Sequence, residues 1–541
     1  MILLLACAVT TLPPPAEDTS ATVPLSAPLL LRRMSLDLRG TVPSADELDQ
    51  VEADPAALAT LRDAFLEDAR LEGRLVTLFA ERFHTRLDAF EVQYYDYGLD
   101  PEQEYAFESA VGEEPLRLMA HVAVTDAPWS DIVTVDYTIA NDLLAEVWPL
   151  DYPADTSGWA PATYTDGRPA AGILATNGLW WRYVTNTSNQ NRSRAAAIAR
   201  LLLCEDLLSR PVSFSGGTAL ADAAGTAAAI QEEPACVACH ASIEPLAASL
   251  FGFWVATSYN PLELGTYHAE REAMGESVLG VTPGYFGQQI EGLVDLGGAV
   301  ASDTRFWQCS AQTAAELLWR RESTLADFDR IETLRQGFVA TGGLYKPLLR
   351  AVTDTPEYRA GSLTDAATEE DLGHQTTLRM LTAEQLASAV EDLTGFRWLY
   401  QGYDQLANDT LGYRVLAGGV DGYAVGRPQS EPGITWALVV KRLSQAAASH
   451  AAHAELEEGA ERRLFSVVTP DDRPGSDAFT AELEALHWRL YARRVSADGD
   501  GADRLAADEE LWTQVDATDG PAAAWAALAS AMLRDPEFVG Y

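Results

Sequence analysis

The sequence is poor in positive charge. Lys and Arg number 38 against 80 Asp and Glu, which gives a formal net charge of −42. Proteins that bind nucleic acid neutralise phosphates with clustered Lys and Arg, so this balance argues against nucleic acid as a partner. It argues equally against docking on an anionic membrane surface. An acidic surface increases solubility, and it is also typical of proteins from a high-salt environment and of proteins that bind basic partners.

Long apolar runs and cysteine are also scarce. Beyond the N-terminus no segment has 18 or more uninterrupted apolar residues, so no membrane-spanning helix is predicted there. Five cysteines in 541 residues do not make a disulfide framework, and a chain of this length buries large cores without one. We therefore expect a globular protein of several domains.

The first residues are apolar and lead to a cysteine. Residues 4–7 (Leu-Leu-Ala-Cys) match a lipobox, in which a small residue precedes a cysteine that receives lipid. The stretch is short and lacks basic residues, so an ordinary apolar start with a stray cysteine is the alternative. The prolines at 13–15 suit a tether. We expect lipidation at Cys7, residues 1–27 as lipoprotein signal and tether, and a place in the periplasm or on the outer cell surface.

Helical periodicity dominates the rest of the chain. Capping boxes at Ser44 and Thr382 each predict the start of a helix. Residues 91–115 and 211–230 show no clear period and are predicted to be loops. The expected fold is mainly α, a multi-segment helical assembly with long irregular loops. Further helices are predicted within residues 58–84, 139–147, 193–208, 311–321, 327–341, 437–452 and 481–493, and from residue 521 onwards.

One short motif carries specific chemistry: Cys236-Val237-Ala238-Cys239-His240. Two thiols three positions apart lie on neighbouring faces of one helical turn, where both can add to the vinyl groups of a haem. The next residue then directs an imidazole at the iron. The motif predicts one covalent haem c, with Cys236 and Cys239 as attachment points and His240 as axial ligand.

Two other interpretations of the cysteine pair stay open. The pair can form a disulfide or a redox couple, although no βαβ pattern of the thioredoxin kind lies beside it. It can also be half of a zinc site, but no second pair with convincing spacing follows. His450 and His453 lie in an Ala-rich helix, where solvent-facing histidines are the ordinary interpretation.

The residues after the motif fit the surroundings of a haem. An apolar run that includes Leu250 and Trp254 is suited to cover a porphyrin face, and equally suited to a plain core. Met274 and His268 are candidates for the distal ligand. A methionine there favours a high reduction potential, a histidine a lower one, and an open position the binding of small ligands.

Two cysteines remain, Cys204 and Cys309, both in apolar helical contexts. In an oxidising compartment we expect them to form a disulfide that closes a loop around the motif; the alternative is two free core thiols. Residues 498–509 resemble a calcium loop but lack the glycine at its sixth position, so a solvated acidic turn is the simpler interpretation.

Several segments together resemble the Planctomycete-type cytochrome C (PSCyt-type) multidomain family. The resemblance covers most of the chain from about residue 28, and only the Cys-x-x-Cys-His motif is sharply specific. After residues 244–246 the family usually has Asn-Phe-Asp, where this chain has Phe253-Trp254-Val255. The resemblance implies an exported, haem-bearing, mostly helical protein and names no substrate. The matching segments are residues 31–44, 131–141, 172–176 with 192–204, 236–253, 306–309 and 525–538.

These observations lead to a hypothesis about function. We expect an exported, lipid-anchored electron-transfer protein with one haem and a redox protein as partner, rather than an enzyme. The alternatives are a haem-free periplasmic or surface binding module with a structural Cys-x-x-Cys disulfide, and a haem enzyme that acts on a small oxidant. The predicted domains after the tether are an N-terminal helical domain (28–165), a haem-type domain (166–365) and a C-terminal helical domain (366–541).

Overall fold

The computed structural model describes residues 21–86, 94–207, 209–211, 223–254, 263, 265–365, 367–368, 378–408 and 411–541. Cys7 and the lipobox lie outside these residues. The prediction of a mainly α protein is confirmed. Among the described residues no helix is both long and apolar enough to cross a membrane.

The helices fall into two groups along the chain, before and after residue 366. The first group consists of α1 (Ala27–Arg39), α2 (Ala45–Ala53), α3 (Ala57–Leu66), α4 (Arg70–Phe83), α5 (Glu104–Val124), α6 (Asp142–Val147), α7 (Asn177–Arg182), α8 (Arg192–Leu203), α9 (Ala223–Glu232), α10 (Pro234–Ala248), α11 (Met274–Leu279), α12 (Leu293–Ser302), α13 (Thr304–Trp319), α14 (Phe328–Ala340), α15 (Tyr345–Thr353) and α16 (Pro356–Arg359). The second group consists of α17 (Ala383–Thr394), α18 (Tyr413–Leu416), α19 (Ile434–Ala452), α20 (Asp477–Tyr491), α21 (Ala502–Asp519), α22 (Pro521–Met532) and α23 (Pro536–Val539).

The strands are short and all their pairings are antiparallel. They form one three-stranded sheet, in the order β2-β4-β3, and three two-stranded pairs, β1-β7, β5-β6 and β8-β9. Their bounds are β1 (Thr22–Pro24), β2 (Thr138–Ala140), β3 (Leu150–Asp151), β4 (Ala160–Tyr164), β5 (Gly284–Tyr285), β6 (Gln288–Gln289), β7 (Ala360–Leu363), β8 (Leu399–Tyr400) and β9 (Tyr403–Asp404).

Two large apolar cores lie under these helices. The first core runs from Leu30 to Tyr358 and includes Trp488 and Ala492 from the second helix group. It draws on side chains from both residues 28–165 and residues 166–365. The second core is built from residues 381–541, together with Leu36 and Val42. A smaller cluster packs around α5, α7 and the three-stranded sheet.

Helix α1 lies between the two cores. Every residue from Leu30 to Arg39 is buried. Its apolar side chains divide between the cores. Two of its arginines, Arg32 and Arg33, donate to backbone carbonyls far along the chain. Arg32 donates to the carbonyl oxygens of Leu490, Phe538 and Gly540, at 2.7–3.2 Å. A buried guanidinium needs such partners, since an unpaired one costs several kcal/mol.

Both predicted capping boxes are confirmed. Ser44 accepts a hydrogen bond from the backbone N–H of Glu47, and the Glu47 carboxylate accepts one from the N–H of Ser44. Thr382 and Gln385 form the same reciprocal pair at the start of α17. The caps satisfy N–H groups that the first helical turn leaves without partners.

Two predicted loops are wrong in part. The loop expected over 91–115 is wrong from residue 104, because α5 begins at Glu104, and residues 91–93 lie outside the described part of the chain. Acidic residues on the buried face of α5 obscured its period, and Glu114 is fully buried there. The loop expected over 211–230 gives way to α9 at residue 223, while residues 212–222 lie outside the described part of the chain.

Candidate functional site at the Cys-x-x-Cys-His helix

The whole motif lies in the first half of α10. Pro234 occupies the first turn of this helix, where its missing N–H costs nothing. At about 100° per residue, the side chains of Cys236, Cys239 and His240 leave the helix within a sector of about 100°. Further along, the buried residues Ile243 and Leu246 fix α10 on the first core.

The two motif thiols are free and partly exposed. Cys239 packs at the edge of the first core, with its Sγ 3.9 Å from the carbonyl oxygen of Leu207. The structure has no bond between Cys236 and Cys239. Each thiol is therefore available for separate covalent chemistry.

His240 is held by a carboxylate one turn along the same helix. Its Nδ1 lies 2.6 Å from Oε1 of Glu244, and the side chains are 25% and 8% exposed. With Nδ1 engaged, Nε2 is the ring nitrogen left without a hydrogen-bond partner in the described part of the chain. The imidazole therefore presents one defined nitrogen to a ligand.

Arg192, the first residue of α8, holds Glu244 in turn. Its Nε and Nη2 donate to the two carboxylate oxygens at 2.6 and 2.9 Å, a bidentate pair. Burial alone would raise the pKa of Glu244, but hydrogen bonds from His240 and Arg192 outweigh it, and the pKa lies below its ordinary value. The carboxylate is thus ionised at neutral pH and fixed from two sides.

A cavity of about 840 Å³ opens beside His240. Val237, Ala241 and Glu244 line it from α10, and the facing walls come from α9, residues 187–192 and residues 278–281. Cavities of roughly 300–1,000 Å³ suit small-molecule and cofactor ligands. Neither motif thiol lines this cavity, so His240 stands at the border between the thiol face and the cavity face of α10.

The apolar run after the motif belongs to the protein interior. Ile243, Leu246, Leu250, Phe251 and Phe253 are all part of the first core, and none of them lines the cavity. These side chains therefore form part of the protein core and are not a wall of the cavity.

Neither predicted distal ligand lines the cavity. Met274 begins α11, which packs against the last residue of α10. The next residue, Gly275, lies so close to Ala248 that a Cβ on it would be 2.1 Å from the Ala248 carbonyl oxygen. Ala248 is eight residues beyond His240, about 12 Å along the helix. His268 is engaged elsewhere, with its Nδ1 3.3 Å from Glu270 and its backbone N–H bonded to Gly252.

Cys204 and Cys309 are joined by a disulfide in the structure, with a Cα–Cα distance of 5.1 Å. It links the end of α8 to the middle of α13. Because Arg192 lies at the other end of α8, the disulfide and the His240 site share one helix.

Residues that the sequence did not single out complete the site. Glu244 lies four positions after His240, a spacing that places two side chains together on a helix, so it could have been found. Arg192 is 52 positions from Glu244, and only the packing of α8 on α10 reveals it. In the described part of the chain, no group of three or more His, Cys, Asp or Glu side chains is arranged to hold a metal ion, and this includes residues 498–509.

Comparison with known proteins adds no relative: no protein-family model, curated protein or solved structure matches the chain.

Proposed function

We propose that this chain is an exported, lipid-anchored protein that carries one haem c and passes electrons to a redox protein. Cys236 and Cys239 would hold the haem through thioether bonds, and His240 would be an axial ligand. The proposal includes membership of the PSCyt-type family, whose motif segment this chain resembles. Lipidation at Cys7 would be its link to the membrane, in the periplasm or at the outer surface.

The observation that carries the proposal is the hydrogen bond between His240 and Glu244. Histidines that ligate metals almost always donate their other ring N–H to a carboxylate or carbonyl, which fixes the ring and raises its basicity. Here Nδ1 is bonded to Glu244 at 2.6 Å, and Arg192 holds that carboxylate in place. The ring is thus prepared to use Nε2 as a ligand.

The arrangement of the thiols fits the same group. Both thiols are free, and they project from the same sector of α10 as His240. A bound haem would supply one-electron chemistry at a potential set by its ligands and their hydrogen bonds. The chain itself would fix the imidazole, and its net charge of −42 favours a partner with a basic face.

The test is expression in a bacterial host that attaches haem to Cys-x-x-Cys-His motifs. We expect a Soret band and an intact mass increased by one haem. Cys236→Ala and Cys239→Ala should each leave a single thioether bond or no haem, whereas Cys309→Ala, outside the motif, should keep the haem. A protein without a Soret band that is lighter by two hydrogens beyond the two lost in Cys204–Cys309, through a Cys236–Cys239 disulfide, would contradict the proposal and support a binding module.

One observation favours a second candidate, a haem enzyme that acts on a small oxidant. Neither Met274 nor His268 lines the cavity beside His240, so the described residues include no evident sixth ligand there. An open position would bind cyanide or carbon monoxide and shift the spectrum on addition. A six-coordinate low-spin spectrum that neither ligand changes would favour electron transfer alone.

A further inference from the structure

The two sulfurs of the Cys204–Cys309 disulfide lie in different surroundings. Cys204 is the residue that ends α8, in the left-handed region at φ 52°, and it is partly exposed. Cys309 lies within α13 and is 1% exposed. Cys309 is therefore shielded from an incoming thiol, and Cys204 is the more exposed cysteine of the pair.

A cation lies against the sulfur of Cys204. Nη2 of Arg82, near the end of α4, lies 3.2 Å from Sγ of Cys204 and also donates to the carbonyl oxygen of Arg200 at 3.1 Å. No carboxylate oxygen of the described residues lies within 4.0 Å of the Arg82 guanidinium. Glu316 and Glu322 act on Arg82 only from farther away.

Arg82 thus has no close counter-charge among the described residues. Nη2 donates only to the Arg200 carbonyl and to the sulfur, and Nε is buried without a hydrogen-bond partner. Burial lowers the pKa of Arg82, with a further contribution from the charge of Arg200. A negative charge on Cys204 would relieve this cost, because a positive neighbour stabilises a thiolate.

We propose that Cys204–Cys309 is a thiol–disulfide exchange site that accepts two electrons from the dithiol of a partner protein. A partner thiolate attacks Sγ of Cys204; the Cys204–Cys309 bond breaks, and Cys309 leaves as a thiolate and takes a proton. The partner's second thiolate then attacks the partner sulfur of the mixed disulfide, and Cys204 leaves as a thiolate beside Arg82. The partner dithiol has become a disulfide, and two electrons have passed to this chain.

The fold allows both redox states. Leu201, Leu202 and Leu203 of α8, and Phe306, Ala311 and Ala314 of α13, are buried in the first core and hold the two helices together without the disulfide. Structural disulfides of exported proteins have potentials below about −300 mV, whereas stabilisation of the reduced form makes a disulfide more oxidising. The exchange site does not depend on haem at Cys236 and Cys239.

The first experiment measures the disulfide's equilibrium in the folded, full-length protein. The protein is equilibrated in dithiothreitol redox buffers, its thiols are trapped by alkylation, and site-resolved mass spectrometry reports on Cys204 and Cys309. We expect half-reduction at a potential above about −300 mV. Arg82→Gln should lower the equilibrium constant for reduction at least tenfold, which is about 30 mV. Arg82→Lys, which keeps the charge, and Arg504→Gln, at an exposed position of α21, should stay close to the unchanged protein.

The second experiment reads the thiolate directly, in a Cys309→Ser protein that leaves Cys204 unpaired. The pH dependence of Cys204 alkylation should show a thiol pKa below the ordinary value of about 8.5, and Arg82→Gln should return it to that value. Circular dichroism confirms that each variant is folded. The proposal is overturned if the disulfide stays oxidised below about −300 mV, or if Arg82→Gln changes neither the equilibrium nor the alkylation profile.

Discussion

The carboxylate of Asp37 lies 3.0 Å from the guanidinium of Arg379, and the two side chains are 1% and 0% exposed. Asp37 belongs to α1, and Arg379 precedes the second core. Tyr358 and Tyr541 also donate hydrogen bonds to the Asp37 carboxylate. This buried group ties the first and second helix groups together through α1.

Removal of the charge at Asp37 should therefore destabilise the protein strongly. In Asp37→Asn the buried Arg379 loses its counter-charge, and breaking a buried pair in this way costs about 3–5 kcal/mol. The measurement is the free energy of unfolding from denaturant titration. Arg397→Gln is the control: it breaks an exposed pair with Glu391, which should cost less than about 1 kcal/mol. Equal losses in the two variants would contradict a special role for the buried pair.

Glu114 should make stability depend on pH. Burial raises its pKa above the ordinary 4.5, although hydrogen bonds from Tyr164, Gly178 and Thr138 and the charge of Arg168 oppose that shift. A carboxyl group whose pKa is raised in the folded protein makes its full contribution to stability at low pH, where it is protonated in both the folded and the unfolded protein. That contribution is lost as the pH rises from about 4.5 through the raised value.

Glu114→Gln tests this dependence, because an amide does not titrate. The amide nitrogen would face the N–H of Gly178, which donates to Oε2 in the unchanged protein, so a constant loss of stability is expected. The informative quantity is the change with pH: relative to the unchanged protein, the variant should gain unfolding free energy between pH 4.5 and neutrality. Glu232→Gln, at an exposed position of α9, should run parallel to the unchanged protein. If the unfolding free energy of Glu114→Gln also runs parallel to that of the unchanged protein, the Glu114 carboxyl group does not cause the pH dependence.

The helices and the site differ in how far the sequence predicts them. Ser44 and Thr382 start helices as predicted, because a capping box is a local interaction over four residues. Helix α5 was missed, because Glu114 occupies a buried position that its partners from β2, β4 and α7 make tolerable. Such partners come from tertiary packing, which a local pattern does not contain.

The same distinction applies to the site. The motif residues are contiguous, so the sequence names them directly, and Glu244 lies within one turn of His240. Arg192 and Arg82 acquire their roles only when α8 meets α10 and α4 meets α8. Contacts between separate helices leave no periodic signal in the sequence. The roles of Arg192 and Arg82 therefore cannot be predicted from it.

Loss of the Glu244 carboxylate should change the electronic character of a haem on His240. A carboxylate partner raises the basicity of the ligand, which stabilises the oxidised iron. Glu244→Gln should therefore raise the reduction potential, and Arg192→Gln should leave the His240–Glu244 hydrogen bond but loosen it. Spectroelectrochemistry measures the potential, with Glu232→Gln as the exposed control. In protein without haem, ¹⁵N NMR of His240 should show a hydrogen-bonded proton on Nδ1, and Glu244→Gln should weaken that bond because an amide oxygen is a weaker acceptor than a carboxylate. An Nδ1 signal that Glu244→Gln leaves unchanged would contradict the hydrogen bond to Glu244.

Two adjacent glycines of α12 should respond in opposite ways to the same substitution. A Cβ at Gly297 would lie 2.1 Å from the carbonyl oxygen of Val133, whereas nothing lies within 4 Å of a Cβ at Gly298. Both positions gain helix propensity from alanine, about 0.5–1 kcal/mol. Gly298→Ala should therefore raise the unfolding free energy by about that amount. In Gly297→Ala the backbone of α12 must move away from Val133, and overpacking of this kind costs about 1–3 kcal/mol or more. Denaturant titration of the two variants separates packing from propensity, because propensity changes equally in both. Equal stabilisation by both substitutions would mean that α12 does not pack closely against residues 129–133.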